Sequence, residues 1–160
     1  ALRGNELTMT DVDGVLRAVL EPQPALTGTT WAVFKMNNGK KLIVPKTDEP
    51  ITATFSDIGA ANIGIVRGDT GVSNQFDENS YFASFSTPAA TQIRVDEAEV
   101  TGIACDDKRR KSAVCKTEQR FLKLLEQADT YIVRPEDLKF YDDGKNTLVL
   151  RPLLVDDSEE

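Results

Sequence analysis

Trp31-Ala-Val-Phe-Lys-Met-Asn-Asn-Gly-Lys-Lys-Leu-Ile-Val44 has the alternation and the central break of two paired strands. Two runs rich in β-branched and aromatic residues, Trp31-Ala-Val-Phe-Lys35 and Lys41-Leu-Ile-Val44, flank Asn37-Asn-Gly39. Asn and Gly accept the positive φ that a tight hairpin turn requires, so the segment reads as a β-hairpin. The same texture continues through Ile51-Thr-Ala-Thr-Phe55, Ile63-Gly-Ile-Val-Arg67, Tyr81-Phe-Ala-Ser-Phe85, Gln92-Ile-Arg-Val95 and Glu99-Val-Thr-Gly-Ile103. Pro, Asp and Gly breakers separate these runs at the intervals of an antiparallel meander, which leaves little room for crossover helices.

One segment changes period. From Thr117 to Ala128 the apolar residues Phe121, Leu124, Leu125 and Ala128 fall at i, i+3, i+4 and i+7, with Glu118, Gln119, Lys123, Glu126 and Gln127 between them. This is the pattern of an amphipathic helix over 117–128. Thr117 would supply the N-cap oxygen and Glu118 would sit against the positive helix start. A lone sheet needs a cover, so the stripe is expected to lie on the sheet as core. The fold class expected is mainly β (α+β), an antiparallel sheet covered by one helix.

The two ends resemble each other. The stretch from Arg3 to Pro22 can be laid over that from Arg134 to Pro152 with one gap, aligning Leu7 with Leu138, Asp11 with Asp142, Asp13-Gly14 with Asp143-Gly144, Val19-Leu20 with Val149-Leu150 and Pro22 with Pro152. Both read as hairpins with an Asp-Gly turn. An offset of about 130 residues, one domain length, suggests a tandem array, although two generic hairpins can also match by chance. The expected organisation is a hairpin over 1–22, a proline-stiffened linker over 23–25, a domain over 26–152 and an acidic tail over 153–160.

Composition narrows the chemistry. The 160 residues include no histidine, which excludes Ser-His-Asp and Cys-His catalysis and His-ligated metal sites. With 26 acidic and 19 basic residues the net charge is −7, against the concentrated positive footprint that nucleic acid demands. An anionic membrane surface is disfavoured for the same reason. No run is long and apolar enough for a membrane span, the nearest being the Gly-broken stretch from Ile58 to Val66. No charged-then-apolar leader opens the sequence, so any signal segment is expected to have been removed or never to have existed. Cys105 and Cys115 bracket Asp-Asp-Lys-Arg-Arg-Lys-Ser-Ala-Val. They form a disulfide in an oxidising compartment or two idle thiols in a reducing one, and two thiols alone cannot make a structural zinc site.

Six blocks taken in order resemble the META (HslJ-like) domain over about residues 26 to 152: Leu26-Thr-Gly-Thr-Thr-Trp31, Glu49-Pro-Ile-Thr-Ala-Thr-Phe55, Gly68-Asp-Thr-Gly-Val-Ser-Asn74, Thr101-Gly-Ile-Ala-Cys105, Glu118-Gln-Arg-Phe-Leu122 and the closing hairpin from Leu138 to Leu150. The resemblance implies a strongly curved antiparallel sheet or partly open β-barrel plus one helix, akin to small lipid-binding pilot lipoproteins. It further implies a bacterial periplasmic, outer-membrane-associated or secreted location, stress- or virulence-linked roles and no established catalytic activity. Where the family commonly has Gly-Cys-Asn this chain reads Gly71-Val72-Ser73-Asn74, which leaves Cys115 as the available partner for Cys105. The stretch from Arg3 to Pro22 looks like the last hairpin of a preceding copy, and a membrane tether upstream of Ala1 would fit the family.

Other motifs carry plainer readings. Arg67-Gly68-Asp69 spells an adhesion tripeptide that a strand-end loop would display, yet Gly68 is also a family turn position. Asp11-Val-Asp13-Gly14 and Asp142-Asp143-Gly144 lack the later oxygen ligands of a calcium loop, so no metal and no cofactor is expected. Asp96, Glu97 and Glu99 could pair as acid and base only inside a cleft. Trp31, Phe34, Phe55, Tyr81, Phe82 and Phe85 would supply a barrel interior or a sheet face. Lys108-Arg-Arg-Lys111 is the one concentrated positive cluster, and a disulfide at its base would make it a compact knob. The function expected is non-enzymatic binding of a protein partner through Lys108, Arg109, Arg110 and Lys111 together with Gly68, Asp69, Gly71 and Asn74. The alternative is a small carrier of a lipid or other hydrophobic ligand that uses the barrel interior.

Overall fold

The computed structural model describes residues 2–3, 6–10, 16–20, 25–60, 62–73, 78–101, 105 and 110–153. Strands β1 (Leu2–Arg3), β2 (Glu6–Thr10) and β3 (Leu16–Leu20) form a three-stranded sheet of their own. The remaining strands are β4 (Thr30–Asn37), β5 (Leu42–Ile43), β6 (Thr52–Asp57), β7 (Ile63–Ser73), β8 (Glu78–Ser86), β9 (Arg94–Val95), β10 (Glu99–Thr101), β11 (Thr130–Val133), β12 (Leu138–Asp142) and β13 (Lys145–Pro152), and α1 (Ala113–Glu126) lies between β10 and β11. They build a ten-stranded sheet in the order β10-β8-β7-β6-β4-β13-β12-β11, with β5 on β4 and β9 on β8. Every strand pairing is antiparallel, as the meander reading expects.

Asn37-Asn-Gly39 makes the turn the sequence implies. Gly39 takes a φ of 95° and its N–H donates to the Asn37 side chain at 2.7 Å, while the Asn38 side chain accepts from the N–H groups of Lys40 and Lys41. The one long-range pairing in the strand order is β4 with β13, which brings the last strand beside the first of this sheet. The sheet does not close into a barrel. Its ends approach where Tyr131 donates to the Thr91 carbonyl at 2.9 Å and Ile93 donates to the Asp129 carbonyl at 3.0 Å.

α1 covers the sheet and starts earlier than its apolar period suggests. The cap is Ser112, not Thr117, and the Ser112 hydroxyl accepts from the Cys115 N–H at 3.2 Å. Thr117 instead sits inside the helix, where its hydroxyl donates to the Ala113 carbonyl one turn back. Glu118 faces the sheet and is buried, along with Cys115, Phe121 and Leu125. A polar residue occupies the stripe, so counting apolar residues alone starts the helix one turn late.

The interior holds Trp31, Phe55, Tyr81, Phe85, Phe121 and Phe140, all essentially buried. Phe55 meets Phe85 edge-on at 5.3 Å, and Tyr81 meets Phe121 edge-on at 5.3 Å, a favoured arrangement of ring quadrupoles. Phe34 and Phe82 do not join them. Tyr81, Ala83 and Phe85 alternate inward along β8, so strand parity sends Phe82 outward, where it is 42% exposed. Phe34 lies half-buried on the outer face under Arg151. Strand β11 carries no expectation from the sequence. Asp11, Asp13 and Gly14 of the first Asp-Gly turn, the linker residues 23–24 and the tail beyond Leu153 lie outside the described residues.

Two outcomes follow from this core. Phe121→Ala removes the ring that ties α1 to the sheet and is expected to cost about 3 to 5 kcal/mol, read as a lowered midpoint in urea unfolding; a change within half a kcal/mol would contradict the packing. Burial, with the charge of Asp69 second, pushes the Tyr81 phenol well above its ordinary value, and burial also pushes up Tyr131. The unfolded phenols ionise from about pH 10 while the folded ones keep their protons, so folding stability is full below that pH and falls as pH rises above it. Tyr81→Phe is expected to shallow this fall, and an unaltered pH profile would count against it.

Candidate functional site

Two of the sequence-predicted clusters meet at one end of the sheet. Cys105 and Cys115 are joined, with their Cα atoms 5.8 Å apart, and buried Cys115 packs with Val72 of β7 and half-buried Cys105 and Val114. The first turn of α1 is thereby fixed to the end of β7. Closing a loop of ten residues is worth about 3 kcal/mol in the chain-entropy account.

The structure divides the candidate contact residues into structural and exposed ones. Arg67-Gly68-Asp69 is not displayed on a loop: it lies within β7, whose residues pair with β6 at Arg67 and with β8 through Asp69. The expected strand end at Arg67 is overturned because β7 runs on to Ser73. A Cβ at Gly68 would strike the Thr52 carbonyl, so glycine is required there by close approach. Gly71 has a φ of 74°, and its carbonyl accepts from the N–H groups of Asp48 and Glu49 at 2.8 and 3.2 Å, which docks the loop before β6. Asp69 is exposed, and its N–H donates to the Thr52 hydroxyl at 2.9 Å. Arg110 and Lys111 stand exposed just before the Ser112 cap, whereas Asn74, Lys108 and Arg109 lie outside the described residues.

Behind this end lies a buried polar group that the sequence does not single out. One Glu118 carboxylate oxygen accepts from the Thr70 hydroxyl at 2.5 Å and from the Asn79 side-chain amide at 2.8 Å. All three residues are buried, and they join α1, β7 and β8. The available signal is the spacing Cys115, Glu118, Phe121, Leu125, a helical stripe once its polar member is counted.

The acidic trio gathers as well. Asp96, Glu97 and Glu99 line a shallow groove of about 290 Å3 with Ile65 and Phe82. All three are exposed. Asp142-Asp143-Gly144 forms a tight turn with positive φ at Asp143 and Gly144, and the Asp143 N–H donates to the Asp129 carboxylate at 3.0 Å. Among the described residues, no group of three or more His, Cys, Asp or Glu is placed to hold a metal, and no helix is long and apolar enough to cross a membrane.

A second surface, on the outer face of β4, β12 and β13, was not anticipated. A groove of about 540 Å3 runs past Phe34, Lys35, Asp137, Lys139, Asn146 and Arg151. The Arg151 guanidinium sits 3.5 Å over the Phe34 ring, and Lys139 pairs with Asp137 Oδ2 at 3.0 Å. The other Asp137 oxygen, Oδ1, and Asn146 Oδ1 are both buried and accept no hydrogen bond among the described residues. Both atoms are screened from solvent behind the groove surface. Sequence reasoning missed this site because its residues come from three strands and form no motif.

Glu118→Ala is expected to lower stability by about 1 to 3 kcal/mol, because it removes the acceptor shared by Thr70 and Asn79. Chemical denaturation checks this, and wild-type stability would show that the network carries no net energy.

A family model described as META domain matches residues 24–153, which takes in β4 to β13 and α1. No curated protein and no solved structure matches the chain. The matched span covers the whole ten-stranded sheet and its covering helix, and on that ground the chain belongs to the META domain family.

Proposed function

We propose that this META domain is a non-enzymatic binding module that takes a segment of a protein partner across the outer face of β4, β12 and β13. The observation that carries the reading is a groove of about 540 Å3 that brings the Phe34 ring together with Lys35, Lys139 and Arg151 and with Glu136 and Asp137. A peptide segment can meet such a lining with an apolar side chain for the ring and charged side chains for the cations and carboxylates. The chain carries a net charge of −7, and this groove sets three cations against two carboxylates, Glu136 and Asp137. The disulfide supports an oxidising setting, in the cell envelope or outside the cell, where the stress- and virulence-linked roles implied by the resemblance would be exercised. The carrier alternative needs an empty interior, and the space between sheet and helix is filled by Trp31, Phe55, Phe121, Phe140 and their neighbours.

The test compares capture of partners from a cell-envelope extract by three forms of the full chain. Lys35→Glu with Arg151→Glu is expected to lose the partners that the wild type retains, while alanine at Lys108, Arg109, Arg110 and Lys111 retains them. The reverse pattern would move the contact to the disulfide loop, and equal capture by all three would reject both surfaces. Native mass spectrometry of gently purified protein addresses the carrier: a co-purifying mass of fatty-acid size would overturn the binding-module reading.

A further inference from the structure

The three-stranded sheet at the amino end repeats the last three strands of the domain rung for rung. Between β2 and β3 the partners are Leu7 with Leu20, Thr8 with Val19 and Met9 with Ala18, after which the register slips so that Thr10 faces Leu16. Between β12 and β13 they are Leu138 with Leu150, Lys139 with Val149 and Phe140 with Leu148, after which the register slips so that Tyr141 faces Asn146. The outer strands agree too. Leu2 faces Leu7 as Val133 faces Leu138, and Arg3 faces Glu6 as Arg134 donates its N–H to the Asp137 carbonyl at 2.7 Å. Two unrelated hairpins can share an Asp-Gly turn, but a bulge on the same rung and a third strand in the same register are not properties of hairpins in general.

In the carboxy-terminal copy each of these positions has a use. Leu138, Phe140, Leu148 and Leu150 are fully buried, and the far edge of β13 is taken by β4. In the amino-terminal copy β3 is an edge of its sheet among the described residues, with Leu7, Leu20, Met9 and Ala18 at the corresponding rungs. An edge strand whose counterpart is always paired is a template for one particular neighbour. We propose that β1, β2 and β3 are the closing strands of a second META unit, and that the free edge of β3 takes that unit's counterpart of Thr30–Asn37.

The second unit differs in sequence from the one described. Here Phe140 packs at 5.9 Å from Phe55 and 6.5 Å from Tyr131, and the equivalent rung of the amino-terminal copy carries Met9 and Ala18 in place of Phe140 and Leu148. Those side chains would leave this interior underfilled, and the edge of β4 is already occupied by β13. The occupant is therefore the β4-type strand of a META sheet shaped for Met and Ala at that rung.

The experiment is a fusion in which residues 25–132 run directly into residues 2–160, so that Leu2 takes the place of Val133 and the added unit has only β1, β2 and β3 to finish its sheet. It is made with the native sequence and with Met9→Phe and Ala18→Leu, which restore the large residues of the closing rung. Lys35→Cys in the added unit and Val19→Cys report the pairing, since Lys35 faces Val149 in the domain described. Formation of the 35-to-19 cross-link, with resistance of the added unit to limited proteolysis, is the expected result in at least one of the two fusions. If neither shows it while residues 25–153 stay folded in the same molecules, β3 is not a docking edge and the proposal fails.

Discussion

The pairing of β4 with β13 is the constraint on which the rest of the domain depends. It is the longest-range contact in the strand order, and it joins the meander before α1 to the one after it along a full ladder. The ladder runs from Leu148 against Met36 to Pro152 against Trp31, with a bulge between Val149 and Leu150. Its inner side delivers Leu148 and Leu150 to the core beside Trp31, while its outer side carries Val149, Lys35 and Arg151 into the groove. Such a contact is entropically late, because the whole domain must be threaded between its two strands before it rewards the chain. One bulged ladder thus sets both the interior and the surface proposed to bind.

Local signals were legible where short-range chemistry alone decides the outcome. Asn37-Asn-Gly39 fixes its own turn through side-chain acceptors, and the β-branched runs around Phe55, Val66 and Phe85 become strands in the order read. The cysteine pair was legible as a choice between two states, and the bonded state is the one observed. Boundaries were less legible, for reasons that can be named. β7 extends to Ser73 because Gly71 takes positive φ and lets the strand bulge without ending, so residues that look like a turn remain in the ladder. The helix extends back to Ala113 because Ser112 caps it and because Glu118 is a polar member of the buried stripe.

The candidate sites show the same limit from the other side. Arg67, Gly68 and Asp69 look like a displayed loop motif in one dimension, yet they lie within β7, where Gly68 is a packing residue and Arg67 and Asp69 face solvent. The groove on β4, β12 and β13 has the opposite character. Lys35, Asp137, Asn146 and Arg151 are unremarkable in sequence, and only the β4 to β13 pairing assembles them. Orphaned acceptors are likewise a property of three-dimensional crowding, which no pattern of residue types encodes.

The buried Glu118 and the orphaned atoms of the groove are best understood together. In the first, a carboxylate enters the core and is met by a hydroxyl and an amide from two different strands, so burial is compensated and the group locks α1 against β7 and β8. A buried polar group thus finds its partners where the helix and two strands meet. In the second, the Oδ1 atoms of half-buried Asp137 and Asn146 are screened from solvent and accept no hydrogen bond among the described residues. The groove on the outer face differs from that enclosed network in presenting a ring, cations and carboxylates at the surface, where a partner's side chains can meet them.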